Sequence, residues 1–370
     1  MADPAGPAQA FEDTTDYANY FVTYGYLYHQ KQMLEDHTRM ISYRDAILRN
    51  RDCFEGAVVL DVGAGSGVLG IWAAQAGARK VYAVEATDAA KFARKVVEHN
   101  GLAGKVEVIQ AKMEDVTLPE KVDVIVSEWM GYMLLRESML DSVLEARDKW
   151  LKPGGALYPS KATMYFAPIR TAALAERSVS YAQTMQEWHT FAGYMKNEHG
   201  ISVDCLTGAY DQEHKIYYMR TSQWASLRAE EVVGSACEWF SFDVATVTIE
   251  ELKTKVQAPF SCKVGVPGVM HALAGWFDVQ FEGSAAKPAS SPVTLSTAPH
   301  VGYTHWGQQV FLLAGEVAGV PGDVLEGEAS LVRQERNQRT LKLDLTYSMR
   351  RGPQGSSRAE APTQMHYLID

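Results

Sequence analysis

The chain has no apolar run long enough to cross a membrane as a helix. Its 370 residues are 46% hydrophobic and 22% charged, which is ordinary for a globular protein in water. A membrane-spanning helix needs about 20 consecutive apolar residues, and no stretch approaches that length. The start, M-A-D-P-A-G-P, also lacks the basic and apolar regions of a secretory signal. We therefore expect no membrane association.

Cysteine is scarce and scattered. Cys53, Cys205, Cys237 and Cys262 lie far apart in the sequence and form no C-x-x-C motif. This spacing argues against a disulfide framework and against a zinc site, and it fits a reducing compartment. We predict a protein of the cytoplasm and nucleus that holds no metal ion.

Positive charge is in deficit. The chain has 35 Lys and Arg residues against 45 Asp and Glu residues, a formal net charge of −10. This balance argues against a protein that binds nucleic acid by neutralising phosphates. It is compatible with a cationic partner, although many cytosolic proteins are equally acidic, so charge alone does not identify the partner.

The first half of the chain alternates between strand and helix patterns. The β-branched run V-V-L-D-V is typical of a strand buried on both faces. Strands separated by helices predict a parallel sheet with crossover connections. L-K-P-G-G, at 151–155, predicts a turn that ends this half. The predicted strands are 58–62, 80–85, 106–110 and 122–127, and the predicted helices are 68–76 and 89–100.

After residue 157 the pattern changes to short alternating strands, which are typical of antiparallel β structure. Segment 172–225 is helical and rich in aromatic residues and interrupts this pattern as an insertion, while 283–292 is predicted to be a loop. We divide the chain into a disordered tail at 1–16, helices and a parallel sheet at 17–156, and an antiparallel β domain at 157–370.

A glycine-rich turn, D-V-G-A-G-S-G at 61–67, leads from the first strand into a helix. Its glycines allow positive φ angles and let the backbone approach a ligand closely. Glu85 ends the next strand, where an acid can bind ribose hydroxyls. Glu114 follows the third strand. It either binds an adenine there or is an exposed acid in a loop.

Three interpretations of this turn remain open: S-adenosylmethionine (SAM) binding, dinucleotide binding and a simple tight turn. Gly65, Gly67 and Gly70 match the dinucleotide pattern G-x-G-x-x-G. SAM binding is favoured because Gly63 follows the strand directly and because Asp61 stands within the strand end.

The run S-E-W-M-G-Y-M-L-L-R-E-S, at 127–138, places two acids among large apolar side chains. Glu128 and Glu137 are costly to bury unless they meet a cation or gain a proton. A guanidinium suits them because it can bind a carboxylate through two parallel hydrogen bonds and stacks on aromatic rings. Two surface acids on a hairpin, or an acid/base pair as in glycoside hydrolysis, are the alternatives.

Together these motifs resemble the protein arginine N-methyltransferase family, in particular its type I members and most of all plant-type enzymes. S-E-W-M-G-Y with the later E-S is similar to the family's double-glutamate loop, and V-L-D-V-G-A-G-S-G to its SAM loop. Y-T-H-W, at Tyr303–Trp306, is similar to its T-H-W loop. The N-terminal motifs Y-F-x-x-Y, at Tyr20–Tyr24, and M-L-x-D-x-x-R, at Met33–Arg39, match as well.

The resemblance implies an α/β fold: a Rossmann-like SAM-dependent methyltransferase domain followed by an antiparallel β-barrel with a helical dimerisation arm at 172–225. The implied reaction moves methyl groups from S-adenosyl-L-methionine to arginine guanidino nitrogens, leaving S-adenosyl-L-homocysteine. The implied substrates are proteins such as histone tails and Gly/Arg-rich proteins, and the products are monomethylarginine and asymmetric dimethylarginine. Another SAM-dependent enzyme, acting on a small molecule or nucleic acid, is the alternative.

The resemblance also implies roles for individual residues. Glu128 and Glu137 would clamp the substrate guanidinium, Asp36 and His305 would form a hydrogen-bonded pair, and Tyr24 would help to close the site. Methionines at 33 and 139 would leave room for a second methylation of the same nitrogen. The implied cofactor-binding residues are Arg39, Asp61, Gly63, Gly65, Glu85 and Glu114, and the implied substrate-binding residues are Met33, Tyr132, Met139 and Trp306.

Two positions depart from the family pattern. Gln30 stands where animal type I enzymes have a histidine, and the histidine here is one residue earlier, at His29. Arg136 precedes Glu137 where many members have an aromatic residue. Arg136 therefore places a cation beside the predicted clamp.

Overall fold

The computed structural model describes residues 21–254, 256–335, 337–352 and 360–370. The tail predicted to be disordered, 1–16, and the first tyrosine of the N-terminal motif, Tyr20, lie outside the described residues. The described chain forms a parallel-sheet domain preceded by helices and an antiparallel β domain that carries a long helical insertion.

The first domain contains five parallel strands in the order β3-β2-β1-β4-β5, which confirms the predicted sheet. The strand boundaries predicted from the β-branched runs agree with the structure. Its elements are α1 (Leu27–Glu35), α2 (His37–Leu48), α3 (Arg51–Phe54), β1 (Val58–Val62), α4 (Val68–Gln75), β2 (Lys80–Glu85), α5 (Ala89–His99), β3 (Val106–Gln110), a 3₁₀ turn (Met113–Asp115), β4 (Val122–Ser127), α6 (Leu140–Trp150) and β5 (Leu151–Tyr158).

The arrangement of β1 creates a crevice for a ligand. All five residues of β1 are buried, as expected for a central strand covered on both faces. Its neighbours are β2 on one side and β4 on the other, so the strand order reverses there. In open α/β sheets, ligands bind beyond the carboxyl ends of strands at such a switch point. The glycine turn and the two-carboxylate run both begin at this edge.

The turn predicted at 151–155 is wrong. Those residues form the first part of β5, which pairs with β4 from Leu151 onward and shifts register between Val122 and Val124. Gly154, with φ +75°, takes up a left-handed conformation within this irregular strand. Pro and Gly therefore mark a distortion in an edge strand here, and they do not end the sheet.

The second domain consists of two antiparallel sheets that enclose an aromatic core and form a barrel. One sheet has the order β7-β12-β10-β6-β8, with β11 added on β10, and the other has the order β15-β14-β13-β9. Its strands are β6 (Lys161–Ile169), β7 (Gln223–Ala225), β8 (Cys237–Asp243), β9 (Gln257–Lys263), β10 (Gly268–Gly283), β11 (Pro288–Ser296), β12 (Gln308–Gly319), β13 (Val324–Arg333), β14 (Leu341–Arg350) and β15 (Thr363–Ile369).

The loop predicted at 283–292 is only partly correct. A tight turn connects the strands, with the Ser284 N–H bonded to the Lys287 carbonyl at 3.0 Å, and β11 already begins at Pro288. The Ser- and Pro-rich composition suggested a loop, but these residues pair with β10 at the edge of the sheet. Proline is tolerated at the first residue of such an edge strand.

The insertion is a helical arm. In α7, only Ala192 is buried, although the helix is 27 residues long. The two main helices pack through Trp188, which stacks on Tyr210 with ring centroids 4.3 Å apart. The helical part ends at Arg220, and β7 then rejoins the barrel within the segment predicted to be helical. The helices of this domain are α7 (Ala173–His199), α8 (Thr207–Lys215) and α9 (Ile249–Thr254), with short helical turns at Asp204–Leu206, Ile216–Arg220 and Ala229–Glu231.

The two domains are joined by a well-buried ion pair. Arg333 at the end of β13 donates two hydrogen bonds, of 2.6 and 2.7 Å, to the two carboxylate oxygens of Asp141 in α6. The Arg333 side chain is 7% exposed and that of Asp141 is 23% exposed. Such a paired geometry is strong, and loss of one partner leaves a charge uncompensated.

We predict that Asp141→Asn lowers the free energy of unfolding by about 2 kcal/mol, because it leaves the Arg333 guanidinium without its anion. The matched control is Glu120→Gln, which breaks the more exposed Arg79–Glu120 pair and should cost clearly less, because solvent screens that pair. Urea unfolding followed by fluorescence measures both changes. Equal effects for the two variants would show that the interdomain pair contributes nothing beyond a surface pair.

Candidate active site

The glycine turn adopts the left-handed conformations that its sequence predicts. Gly63, Gly65 and Gly67 have φ angles of +69°, +52° and +81°. A β-carbon on Gly63 would overlap the terminal methyl group of Met139, and one on Gly65 would lie 2.8 Å from Oε1 of Gln30. Glycine is therefore favoured at Gly63 and Gly65 by the left-handed backbone conformation, while the neighbouring atoms are the ends of flexible side chains that can shift.

Two buried acids hold this turn in place. Asp61 accepts a hydrogen bond from the Gly70 N–H at 2.9 Å through Oδ2. Glu85 accepts bonds from the Gly65 N–H and the Thr87 N–H, both at 2.7 Å. Each acid therefore fixes backbone groups around the start of α4.

Asp61 also has an unused acceptor. Its Oδ1 atom is buried and has no hydrogen-bond partner among the described residues. Burial raises the pKa of Asp61 to about 7, the Gly70 hydrogen bond opposes this rise, and the nearby Glu85 charge adds to it. An orphaned carboxylate oxygen beside a glycine turn suits a cationic group, and the ammonium of SAM is one. These residues therefore fit the expected cofactor.

Glu114 lies farther out than the other predicted cofactor residues. It belongs to the 3₁₀ turn after β3, is exposed, and accepts a hydrogen bond of 2.6 Å from the Ser142 hydroxyl of α6. The position after β3 is as predicted, and the side chain is held by the helix that follows the two-carboxylate run.

Glu128 is bound by a guanidinium from the N-terminal helices. Arg39 donates from Nε at 3.0 Å and from Nη2 at 2.9 Å, both to Oε2 of Glu128. The other oxygen, Oε1, accepts from the Met130 N–H at 3.2 Å. Arg39 also donates from Nη1 to the Met33 carbonyl at 3.0 Å. The residue expected to hold the cofactor carboxylate thus pairs here with the clamp.

Glu137 is approached by groups from three segments. The Tyr24 hydroxyl donates to Oε2 at 2.9 Å, and Arg136 Nη1 lies 3.5 Å from Oε1. The main chain of Glu137 is tied to the barrel, because its N–H donates to the Arg339 carbonyl and its carbonyl accepts from Arg339 Nη1, both at 2.8 Å. The structure therefore brings Tyr24 and Glu137 together at the site's edge.

The loop that carries Glu137 is strained. Four of its residues other than glycine have positive φ angles, from 47° to 80°, which costs about 1–3 kcal/mol each. Leu134 is fully buried, its carbonyl accepts a hydrogen bond from the Gly131 N–H at 3.0 Å, and Ser138 donates to the Gln338 carbonyl at 2.5 Å. Packing and barrel contacts thus hold a conformation that the local chain disfavours. The strained residues are Met133, Leu134, Glu137 and Ser138.

Asp36 and His305 form a hydrogen-bonded pair across the two domains. Oδ2 of Asp36 lies 2.7 Å from Nδ1 of His305 and accepts from the His305 N–H at 2.8 Å. Oδ1 caps α2 by accepting from the Arg39 N–H at 3.0 Å. Burial alone would raise the pKa of Asp36, but hydrogen bonds from His305 and Arg39 outweigh it and lower the pKa. Asp36 is therefore an anion that anchors the N-terminal helices to the barrel.

Trp306 packs against the loop that carries the two glutamates, residues 128–138, which we call the clamp loop. Its indole N–H donates to the Met130 carbonyl at 2.7 Å, its ring meets Phe277 edge-on, and it is 2% exposed. The resemblance assigns it to substrate binding, which stays a prediction, and the structure shows that it also positions the loop through this hydrogen bond. Tyr132, by contrast, is partly exposed beside Arg136, whose guanidinium lies 5.6 Å from its ring centroid.

Two further residues contact the site, although neither was predicted from the sequence to be a site residue. Trp224, in β7 directly after the arm, donates from its indole N–H to the His305 carbonyl at 3.1 Å. Gln30 is 5% exposed and donates to the Tyr24 carbonyl at 2.9 Å while it covers Gly65. The neighbouring His29 packs edge-on against Tyr24.

Within the described residues there is no group of three or more His, Cys, Asp or Glu side chains that could hold a metal ion. No helix in the same part of the chain is long and apolar enough to cross a membrane.

Comparison with known proteins gives consistent matches along the chain. Residues 160–352 match the family model described as the arginine methyltransferase oligomerization subdomain, and residues 59–155 match a methyltransferase domain model. Protein arginine N-methyltransferase PRMT10 of Oryza sativa subsp. japonica is 49% identical over 94% of this chain and 92% of its own length. Protein arginine N-methyltransferase 6 of Danio rerio is 39% identical over 94% of each chain.

Solved structures agree with the sequence matches. The crystal structure of Arabidopsis thaliana protein arginine methyltransferase 10, described as uniquely open, matches with a TM-score of 0.91 and 41% identity over 95% of this chain and all of that one. A Trypanosoma brucei PRMT1 enzyme–prozyme heterotetramer with AdoHcy matches with a TM-score of 0.77 and 31% identity, covering 94% of this chain and all of that one.

We predict that Asp61 takes up a proton near pH 7 in the ligand-free protein, because burial raises its pKa to about 7. An unfolded Asp has a pKa of about 3.9, so between these values only the folded state binds the proton. Stability relative to Asp61→Asn should therefore fall by about 2 kcal/mol from pH 5 to pH 7 and level off by about pH 8. Urea unfolding of both proteins at pH 5, 7 and 8 measures this difference. A pH-independent difference would refute the raised pKa.

Proposed function

The chain belongs to the protein arginine N-methyltransferase family, and on that basis we propose that it transfers methyl groups from S-adenosyl-L-methionine to arginine guanidino nitrogens in proteins. The product of the cofactor is S-adenosyl-L-homocysteine. The observation that carries the proposal is the position of Glu128 directly after β4, with Glu137 later on the same loop, just before Met139, which contacts Gly63 of the glycine turn. The Arg39 guanidinium on Glu128 supports it, because this carboxylate already binds a guanidinium.

The clamp is assigned to Glu128 and Glu137. A guanidinium is a poor nucleophile because its lone pairs are delocalised and its pKa is about 13.8. Two carboxylates hold the positive charge on one side of the group, which restores a lone pair on the terminal nitrogen that reacts. They also offset the repulsion between the guanidinium and the cofactor, which supplies an electrophilic methyl group on a cationic sulfur. Fixed orientation of the nitrogen lowers the activation free energy by several kcal/mol. The best-oriented intramolecular reactions gain about 7–11 kcal/mol in this way.

Cofactor binding is assigned to residues around the glycine turn. The free Oδ1 of Asp61 would accept from the ammonium group, and Glu85 at the end of β2 would accept from ribose hydroxyls. Arg39 would serve both the cofactor carboxylate and Glu128, since its guanidinium has five donors. Gly63 and Gly65 would let the backbone approach closely, and Glu114 would stand at the adenine end.

Tyr24 and the Asp36–His305 pair are assigned to closing the site. Tyr24 belongs to the N-terminal helices and reaches Glu137 on the clamp loop. Asp36 binds both the ring and the main chain of His305, so the same helices are tied to the barrel. Closure of these helices over the crevice would exclude water and complete the clamp.

We assign type I activity, in which a second methyl group goes to the same nitrogen, to the space beside Met33 and Met139. Met139 packs its methyl group against Gly63, and the Met33 carbonyl accepts from Arg39. Both methionines thus adjoin the cofactor turn or the clamp, and an unbranched, flexible side chain can yield to a monomethylated substrate. The expected final product is asymmetric dimethylarginine.

A homodimer formed through the arm is part of the proposal. Val179, Phe191 and Tyr194 are exposed on α7 by 67%, 46% and 55%, and a long helix with so little of its surface buried needs a partner. The match to the oligomerization subdomain supports this assignment. Histone tails and Gly/Arg-rich proteins in the cytoplasm and nucleus are the proposed substrates, since an acidic chain suits cationic partners.

We predict that Glu128→Gln lowers methyl transfer by about a hundredfold or more, because half of the anionic clamp is lost. SAM should still bind, since Glu128 is not assigned to the cofactor. Transfer is measured with labelled SAM and binding by calorimetry. The control is Glu35→Gln, which removes an exposed carboxylate paired with Lys31 and should leave transfer unchanged. Loss of SAM binding in Glu128→Gln would contradict the assignment.

We predict that a Gly/Arg-rich peptide incubated with labelled SAM yields asymmetric dimethylarginine, identified by chromatography after hydrolysis. The space beside the methionines at 33 and 139 is the physical reason. Symmetric dimethylarginine would leave the reaction standing and overturn the methionine assignment. Absence of methylarginine, with SAM binding intact, would count against arginine as the substrate.

A further inference from the structure

A pair of thiols lies where the two sheets of the barrel meet. Cys237 begins β8 in the larger sheet, and Cys262 lies near the end of β9 in the smaller one. Both are free thiols. The Ser261 N–H, directly before Cys262 in the chain, donates to the Cys237 sulfur, and the Cys262 thiol donates to the carbonyl of Phe166, the strand partner of Cys237. These contacts place the two thiols beside each other, although 25 positions separate the residues in the sequence.

The surrounding backbone holds this pair in a defined geometry. Cys237 pairs with Phe166 across β6 and β8, and the Cys262 thiol donates to the Phe166 carbonyl at 3.5 Å. The Ser261 N–H donates to the Cys237 sulfur at 3.3 Å. Ser235 and Lys263 add backbone bonds between the same two segments. The thiols therefore cannot drift apart without disturbing several strands.

The two cysteines have unequal environments. Cys262 is fully buried, whereas Cys237 is partly exposed. The hydrogen bond from the Cys262 thiol and the Ser261 N–H lower the pKa of Cys237, although burial opposes them. The same thiol pair, together with burial, raises the pKa of Cys262. Because Cys237 is the more accessible thiol and its sulfur accepts the Ser261 N–H, Cys237 is the nucleophile of the pair and the buried Cys262 is its partner.

We propose that Cys237 is a site of reversible oxidation by hydrogen peroxide and that Cys262 resolves the product into a disulfide within the barrel. This modification is independent of the proposed arginine methylation. The Cys237 thiolate attacks one peroxide oxygen, the O–O bond breaks, and sulfenic acid and hydroxide form. The Cys262 sulfur then attacks the Cys237 sulfur, the S–O bond breaks, and water leaves with the Cys262 proton. Cellular thiols reverse the disulfide by exchange.

The disulfide would join the two sheets of the barrel covalently. In the reduced protein, only noncovalent contacts hold β8 against β9 at this point. A cross-link between residues far apart in the sequence restricts the unfolded chain and stabilises the folded one. Oxidation is therefore expected to raise the melting temperature of the protein and not to lower it.

The direct test is timed peroxide treatment of the full-length wild-type protein, followed by alkylation and peptide mass spectrometry. Cys205 is the internal reference because it is an exposed cysteine in the arm. We expect the Cys237 and Cys262 peptides to become linked, with the loss of two hydrogens, about tenfold faster than Cys205 reacts. Cys237 reacting no faster than Cys205, or no linkage to Cys262, would overturn the proposal.

Variants separate the two steps. In Cys262→Ser, Cys237 should stop at a sulfenic acid that dimedone captures, and in Cys237→Ser, Cys262 should stay unreactive. The control is Cys53→Ser, which changes another buried cysteine outside the barrel and should leave the disulfide intact. If the Cys262→Ser protein does not fold, the linkage of the Cys237 and Cys262 peptides in the wild-type protein still tests the proposal. Equal dimedone capture in wild type and Cys262→Ser would show that Cys262 does not resolve the product.

Discussion

Two carboxylates placed at the ends of an apolar loop are the constraint on which the site depends. Glu128 and Glu137 flank a run of buried side chains, and a lone carboxylate there would cost several kcal/mol to desolvate. The protein supplies cations and donors from separate segments. Arg39 and Tyr24 come from the N-terminal helices and Arg136 from the loop itself. Under the proposed assignment, a substrate guanidinium that binds the two carboxylates would compete with these internal partners.

The same constraint explains why the barrel is needed for a site built on the parallel sheet. The clamp loop keeps its left-handed residues only because the barrel packs against it. Gly275 of β10 leaves room for Met133, since a β-carbon there would lie 2.6 Å from the Met133 sulfur. Arg339 holds the main chain of Glu137, and Trp306 holds that of Met130. The geometry of the two carboxylates therefore belongs to the assembled domains and not to either one alone.

Local patterns predicted the strands and the glycine turn, because buried β-branched runs and positive φ angles have direct signatures in sequence. The errors arose where composition misled: the L-K-P-G-G segment and Pro288 both lie in edge strands, where proline and glycine are tolerated. The bond between Arg39 and Glu128 and the bond from Trp224 to His305 depend on how distant segments pack. No local pattern encodes such contacts, so only the folded structure reveals them.

The central claim is that the paired carboxylates select a planar guanidinium that is held by several donors. The most direct measurement compares methyl transfer from labelled SAM to two peptides that are identical except for arginine or lysine at a single position. The account predicts that the arginine peptide is methylated and that the lysine peptide reacts about a hundredfold more slowly or not at all, because an ammonium cannot match both carboxylates in one plane. Equal transfer to both peptides would contradict it.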